Sequence, residues 1–130
     1  SAPLARTSAR PSINQGLFMT TLKFALKSFP TSNRGIQARR LLASHNIAPE
    51  KLLAEIHAQI MDDRPAFVPG VLYSTEQLCG PDIWGRLKTM GPHRAAGACL
   101  GHLAEVRAVP FALFTPPNVY PLEFLLVVGW

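Results

Sequence analysis

The chain contains 130 residues, of which 48% are hydrophobic and 16% are charged, and its formal net charge is +5 at pH 7. This length suits one ordinary hydrophobic core, and the low charged fraction excludes an intrinsically disordered chain. No apolar run reaches the roughly 20 residues of a membrane-spanning helix, so we expect no membrane partner. The two cysteines, Cys79 and Cys99, form no CxxC pair, which predicts free thiols and an intracellular, most simply cytoplasmic, location.

The first 16 residues, SAPLARTSARPSINQG, lack apolar periodicity and contain no acidic residue. That composition predicts a flexible basic arm or a vector-derived remnant over residues 1 to 18, and organelle transit peptides share the same pattern. Residues 19 to 130 are expected to form a single globular domain. Because much of the excess positive charge lies in residues 1 to 31, the net charge alone is weak evidence for a phosphate-binding face.

The stretch TTLKFALKSF, residues 20 to 29, alternates apolar and polar side chains and opens with two β-branched threonines. This alternation predicts an edge strand that ends before Pro30. The spacing of Leu22, Ala25, Leu26 and Phe29 also fits one face of a helix, which is the alternative interpretation.

Two helices are predicted next. The first covers residues 34 to 45, with Ser32 or Asn33 as its N-cap and Asn46 as a left-handed stop. The second covers residues 49 to 61, where apolar residues recur every three to four positions. The segment DDRPAFVPG is expected to be a loop.

A further pair of short helices is predicted around a glycine. Ser74 and Gln77 stand at the spacing of a capping box, which predicts a helix from Thr75 that Gly80 ends. Pro81 suits the first turn of the next helix. The runs AVPFALF and VYPLEFLLVV, separated by TPPN, then predict a C-terminal β-hairpin. The fold class expected is α+β, a mainly helical small domain with a C-terminal hairpin.

The helix that starts near Pro92 has two contrasting faces. Its core face is expected to hold Ala95, Ala96, Cys99, Leu103 and Val106. Its opposite face is nearly bare of side chains and is formed by Gly97, Ala98, Gly101 and Ala104. Each helix-interior glycine costs about 1 kcal/mol relative to alanine. We therefore predict that this bare face is an interface approached by another helix, a strand or a second subunit, with packing inside the same domain as the alternative.

The order of elements from residue 75 to residue 128, helices followed by a hairpin, resembles the winged helix-turn-helix family. The resemblance implies a third helix that enters the DNA major groove and a hairpin that acts as a wing, although several winged-helix domains bind proteins instead. Base readout needs long donor side chains, which only Arg94, beside His93, supplies on the third helix. The hairpin tip, FTPPNV, has no cation.

One basic cluster lies on the first predicted helix after Pro30. It consists of Arg34, Arg39 and Arg40. Together with Arg94 on the later helix, these residues carry the nucleic-acid-binding hypothesis. Replacement of Arg39 and Arg40 by alanine is expected to weaken any such binding at every sequence.

Cys99 and His102 lie three residues apart on one helix, which is the minimal pair for acyl transfer. Because Cys99 belongs to the apolar face, we expect it to be buried and unreactive, and we assign no catalytic residue. No ligand spacing predicts a metal site, and no phosphate loop predicts a cofactor. The sequence predicts a non-enzymatic binding or regulatory module for DNA or a protein partner, with a homodimer as one option, and it identifies no small-molecule substrate. A small Cys/His hydrolase or transferase is the alternative.

Overall fold

The computed structural model describes residues 22 to 116 and 119 to 127. The arm predicted for residues 1 to 18 lies outside these ranges. The helices are α1 (residues 22 to 28), α2 (Asn33–Ala43), α3 (Pro49–Asp63), α4 (Thr75–Met90) and α5 (His93–Glu105), with 3-10 turns at Phe29–Thr31 and Arg64–Ala66. The strands are β1 (Leu72–Ser74), β2 (Phe111–Leu113) and β3 (Glu123–Leu126). Helices with a small antiparallel sheet confirm the α+β class.

The edge strand predicted for residues 20 to 29 is wrong over its described part, which is α1 and a 3-10 turn. Ala25 and Phe29, four residues apart, are both completely buried, whereas Phe24 is 57% exposed. Burial therefore follows the helical period and not the strand period. The Ser28 hydroxyl also bonds back to the carbonyl of Phe24, at 3.1 Å, as serine does inside helices.

The predicted cap of α2 is confirmed, because the Ser32 side chain accepts a hydrogen bond from the Gly35 amide at 3.0 Å. The helix ends at Ala43, slightly before the predicted residue 45, and Asn46 adopts the expected left-handed conformation with φ of 56°. Gly35 is required for packing, since the carbonyl of Phe29 occupies the place that a Cβ would take. The backbone of the turn after α1 thus lies directly against α2.

The capping box of α4 is also confirmed, with both the Ser74 and the Gln77 side chains bonded to the partner backbone. Gly80 breaks the helix as predicted, with φ of 84°, and Pro81 follows it. Gly91 closes α4 in the left-handed region and donates its N–H to the carbonyl of Leu87. Part of the predicted DDRPAFVPG loop is helical, because α3 runs on to Asp63.

The sheet has three antiparallel strands in the order β1, β3, β2. The pairing of β2 with β3 confirms the hairpin; two residues of its TPPN turn, 117 and 118, lie outside the described residues. The sequence analysis did not predict β1, which contributes Tyr73 opposite the buried Phe124. The rings of Tyr73, Phe67 and Phe111 meet edge to face.

The central element is α5, which contacts α2, α3, α4 and β2. Every residue from 98 to 103 is buried, including Ala98 at 4% exposure and Gly101. Helix α5 is therefore packed against neighbours on both its apolar face and its small-residue face. Among the residues that the structure describes, none of the helices combines the length and the hydropathy needed to cross a membrane.

Candidate binding groove

An open groove of about 690 Å³ lies between α2, the start of α4, the start of α5 and residues 120 to 122. We call it the α5 groove. Four separate parts of the chain line it, and they include the polar cap of α4 (Ser74 to Glu76). Its volume is in the range of pockets that hold a small ligand or one to two side chains of a peptide.

The floor and walls of the α5 groove are mainly apolar. Half-buried Gly97 supplies bare helix surface, the largely buried Ala98 lines the groove beside it, and a Cβ on Gly97 would lie 3.4 Å from the Leu122 side chain. The Trp84 indole meets the His93 ring at 5.6 Å between centroids, which positions both rings beside the groove. Tyr120 also lines the groove and is 61% exposed. Exposed aromatic rings beside a bare backbone surface are typical of sites that bind another molecule.

The polar rim of the α5 groove includes Arg34 and Gln37 from α2, Arg94 from α5 and Glu76 from α4. Arg34 is three-quarters buried and its Nε lies 3.3 Å from a carboxylate oxygen of Glu105. Arg94 is exposed in the first turn of α5, a position where the helix macrodipole disfavours a cation. The cationic side chains of the rim outnumber the single acidic one.

Arg34 crosses α5 at Gly101. A Cβ on Gly101 would lie 2.7 Å from the Cδ and from a terminal nitrogen of Arg34, closer than real contacts allow. The glycine therefore gives the guanidinium group a place on the helix backbone. This close approach was expected for the small-residue face, although the approaching group is a side chain of α2 and not a second subunit.

The four arginines of the nucleic-acid hypothesis do not all line the α5 groove. Arg34 and Arg94 line the α5 groove, whereas Arg39 and Arg40 do not. Arg39 is bound by Glu50 at 2.7 Å, and Arg40 is exposed with no ion pair among the described residues. The structure thus brings together one pair of the predicted cations and places the other pair outside the groove.

The predicted partner interface divides in the same way. Gly97 and Ala98 face the α5 groove, Gly101 lies under Arg34, and Ala104 is partly buried. Neighbours from the same chain cover the C-terminal half of this face. An intermolecular role for these residues remains a prediction and concentrates on Gly97 and Ala98.

Cys99 is completely buried and unbridged, as predicted. Burial raises the pKa of the Cys99 thiol far above its ordinary value, with smaller contributions from Cys79 and Glu50. His102 directs its Nε2–H to the Ala25 carbonyl at 2.9 Å, and the described residues show no hydrogen bond between the histidine and the thiol. A thiolate and imidazole pair is therefore not assembled in this geometry.

Within residues 22 to 116 and 119 to 127, no cluster of three or more histidine, cysteine or acidic side chains has the arrangement of a metal site.

Sequence reasoning missed Gln37, Glu76, Trp84 and Tyr120 as groove residues. The half-buried ring of Trp84 is placed beside the groove together with His93, and that contact between two helices has no local signal in the sequence. No protein-family model, curated protein or solved structure matches the chain.

Proposed function

We propose that this protein is a non-enzymatic binding module that holds a segment of a protein partner in the α5 groove. We further propose that α4, α5 and the hairpin form a winged-helix-like unit, which is supported by two helical segments around Gly80, then α5, β2 and β3. The observation that carries the functional proposal is the open, aromatic-walled groove with two arginines at its rim.

A protein partner is favoured over DNA by the surroundings of α5. A reading helix must lay one face along the major groove, but the small-residue face of α5 is covered at Gly101 by Arg34. Arg39 is already paired with Glu50, which reduces its availability to phosphates. The hairpin sequence contributes no cation.

The chemistry of the groove defines the expected segment. Trp84, Leu122 and the bare surface at Gly97 suit an aromatic or aliphatic anchor. Arg34 and Arg94 suit a carboxylate beside that anchor, since opposite charges steer and orient a partner. We therefore assign an acidic peptide segment with one large apolar residue as the occupant.

Selection from a library of short random peptides displayed on phage tests this proposal. We expect enrichment of peptides that combine an acidic residue with an aromatic or large aliphatic one, and loss of their binding to the Arg94→Glu variant. Arg40→Glu is the matched control because it makes the same charge change on an exposed residue outside the groove. The proposal is contradicted if no such peptides are enriched, or if the enriched peptides bind the Arg94→Glu variant as well as the natural protein.

Duplex DNA of random sequence, titrated in gel-shift assays at two salt concentrations, tests the competing class. Phosphate-driven binding must weaken steeply as salt rises. If DNA binds and both Arg40→Glu and Arg94→Glu weaken it, the nucleic-acid interpretation replaces the peptide one. We expect the natural protein to form no specific DNA complex, so neither variant should change the gel-shift result.

A further inference from the structure

The side chain of Arg34 is held in one place by two groups of α5. Its Nε lies 3.3 Å from Oε1 of Glu105, and its Cδ, central carbon and one terminal nitrogen lie over Gly101. An arginine held in advance loses less conformational entropy when it binds a ligand. Gly101 and Glu105 therefore act as positioning residues for Arg34.

The held guanidinium group retains unused donors. Arginine has five N–H donors, and among the described residues Glu105 is the single ion-pair partner of Arg34 and approaches Nε. No described residue bonds the terminal nitrogens, and the side chain, 25% exposed, lines the α5 groove. Partial burial strengthens a charge-assisted hydrogen bond formed at this position.

We infer that Arg34 recognises a side-chain carboxylate of the bound peptide through its terminal nitrogens, while Glu105 holds Nε and competes weakly for the same cation. This assignment rests on the proposed peptide-binding function and specifies which residue reads the acidic group. Glu105 is 55% exposed, so its attraction for Arg34 is reduced by water and salt. Arg94 then acts at the rim, as a steering charge.

A double-mutant cycle tests the assignment with a selected peptide and the same peptide carrying Glu→Gln or Asp→Asn. Arg34→Lys keeps the charge but removes the planar donor pair, and we expect about tenfold weaker binding of the acidic peptide. The amide peptide should bind Arg34→Lys and the natural protein equally. Equal losses for the acidic and amide peptides would mean that Arg34 is structural and would overturn the inference.

Glu105→Gln gives a readout of opposite sign. Glutamine keeps an oxygen that can accept from Nε and so can still position Arg34, but it removes the competing charge. Binding of the acidic peptide should therefore strengthen about twofold to fivefold, and weaker binding would contradict the role of Glu105 as a competitor. Gly101→Ala should weaken binding like Arg34→Lys, because the new methyl group displaces the guanidinium. Gly85→Ala is its control, since a Cβ at that exposed position of α4 contacts nothing within 4 Å.

A peptide-free measurement separates the two proposals. Titration with N-acetylglutamate amide, followed by NMR of the arginine side-chain N–H groups, should perturb the Arg34 signal before that of Arg40. No Arg34 response overturns the assignment even if peptides bind in an Arg94-dependent manner. If the Arg34 signal responds but the phage selection enriches no peptide, the carboxylate site is supported and the proposed peptide-binding function is contradicted.

Discussion

The two ends of α5 are used in different ways although both are rich in glycine and alanine. From Cys99 to Leu103 every residue is buried between neighbouring helices, whereas His93 and Arg94 are exposed at the α5 groove. Gly101 is covered by Arg34, and Gly97 forms part of an open wall. The comparison teaches that small residues on one helix face can serve packing at one end and leave a binding surface at the other. Changes at the two ends should therefore affect different measurements.

The largest effect is expected in the middle of the buried end. Leu103 is completely buried, so Leu103→Ala should lower the free energy of unfolding by about 2–5 kcal/mol through lost burial and a residual cavity. Urea or thermal denaturation measures this change. A loss below about 1 kcal/mol would contradict the packing described for this end of α5.

Gly101→Leu should be the next most damaging change. A leucine there must displace the side chain of Arg34 and break its contact with Glu105. Because the displaced atoms are the far end of a flexible side chain, we expect a cost of about 1 kcal/mol, the lower end of what overpacking of a core costs. Gly85→Leu is the matched control, because its Cβ points into open space and should leave the melting temperature unchanged or slightly raised. A thermal melt and a sizing column compare both variants. If Gly101→Leu is tolerated like the control, the contact with Arg34 is not tight.

Acidification should destabilise the protein through His57, which bonds to Ala108 just after the buried end of α5. Desolvation lowers the pKa of His57 below its ordinary value of 6.5, while the hydrogen bond from its Nε2–H to the Ala108 carbonyl acts in the opposite direction. The unfolded chain then binds a proton more readily than the folded one. The stability is fully present above pH 6.5 and falls as the pH drops towards the lowered pKa. Melting temperatures of the natural protein and His57→Gln between pH 8 and about 5 should show a steeper decline for the natural protein.

The smallest effect on stability is expected at the open end. Arg94→Ala should change the free energy of unfolding by less than about 0.5 kcal/mol, because the residue is exposed and its charge opposes the helix macrodipole. Binding of the selected peptide should nevertheless fall. Isothermal calorimetry and a thermal melt on the same sample check both statements. A marked loss of stability would show that Arg94 contributes to packing, as the residues at the buried end of α5 do.

Local signals predicted much of the fold. Ser32, the Ser74 and Gln77 pair and Gly80 act through nearby backbone groups, so the sequence alone was sufficient to place their helix boundaries. The helix at residues 22 to 28 was misassigned because its apolar residues satisfy both periods. The choice between them depends on burial of Ala25 and Phe29, which requires the rest of the fold.

The groove was less predictable than the fold. Arg94 was identified from its exposure on a helix, and Arg34 from its local basic cluster. Nothing near Arg34 in the sequence indicates that it crosses Gly101 to reach Glu105. Long-range packing creates that contact, just as it brings Tyr120 beside the first turn of α5. β1 was missed because three residues are too few to display a strand period.

The attachment of the α1 segment has a consequence for sequence variation. Two of its contacts use main-chain oxygens: the Ala25 carbonyl accepts from His102, and the Phe29 carbonyl lies against Gly35. Every amino acid offers the same carbonyl, so these contacts do not specify which side chains stand at exposed positions such as Lys23 and Lys27. The segment should accept extensive surface redesign provided that Ala25 and Phe29 stay small and aromatic, respectively. It is therefore a suitable place to attach a fluorophore or an affinity handle without disturbing the groove.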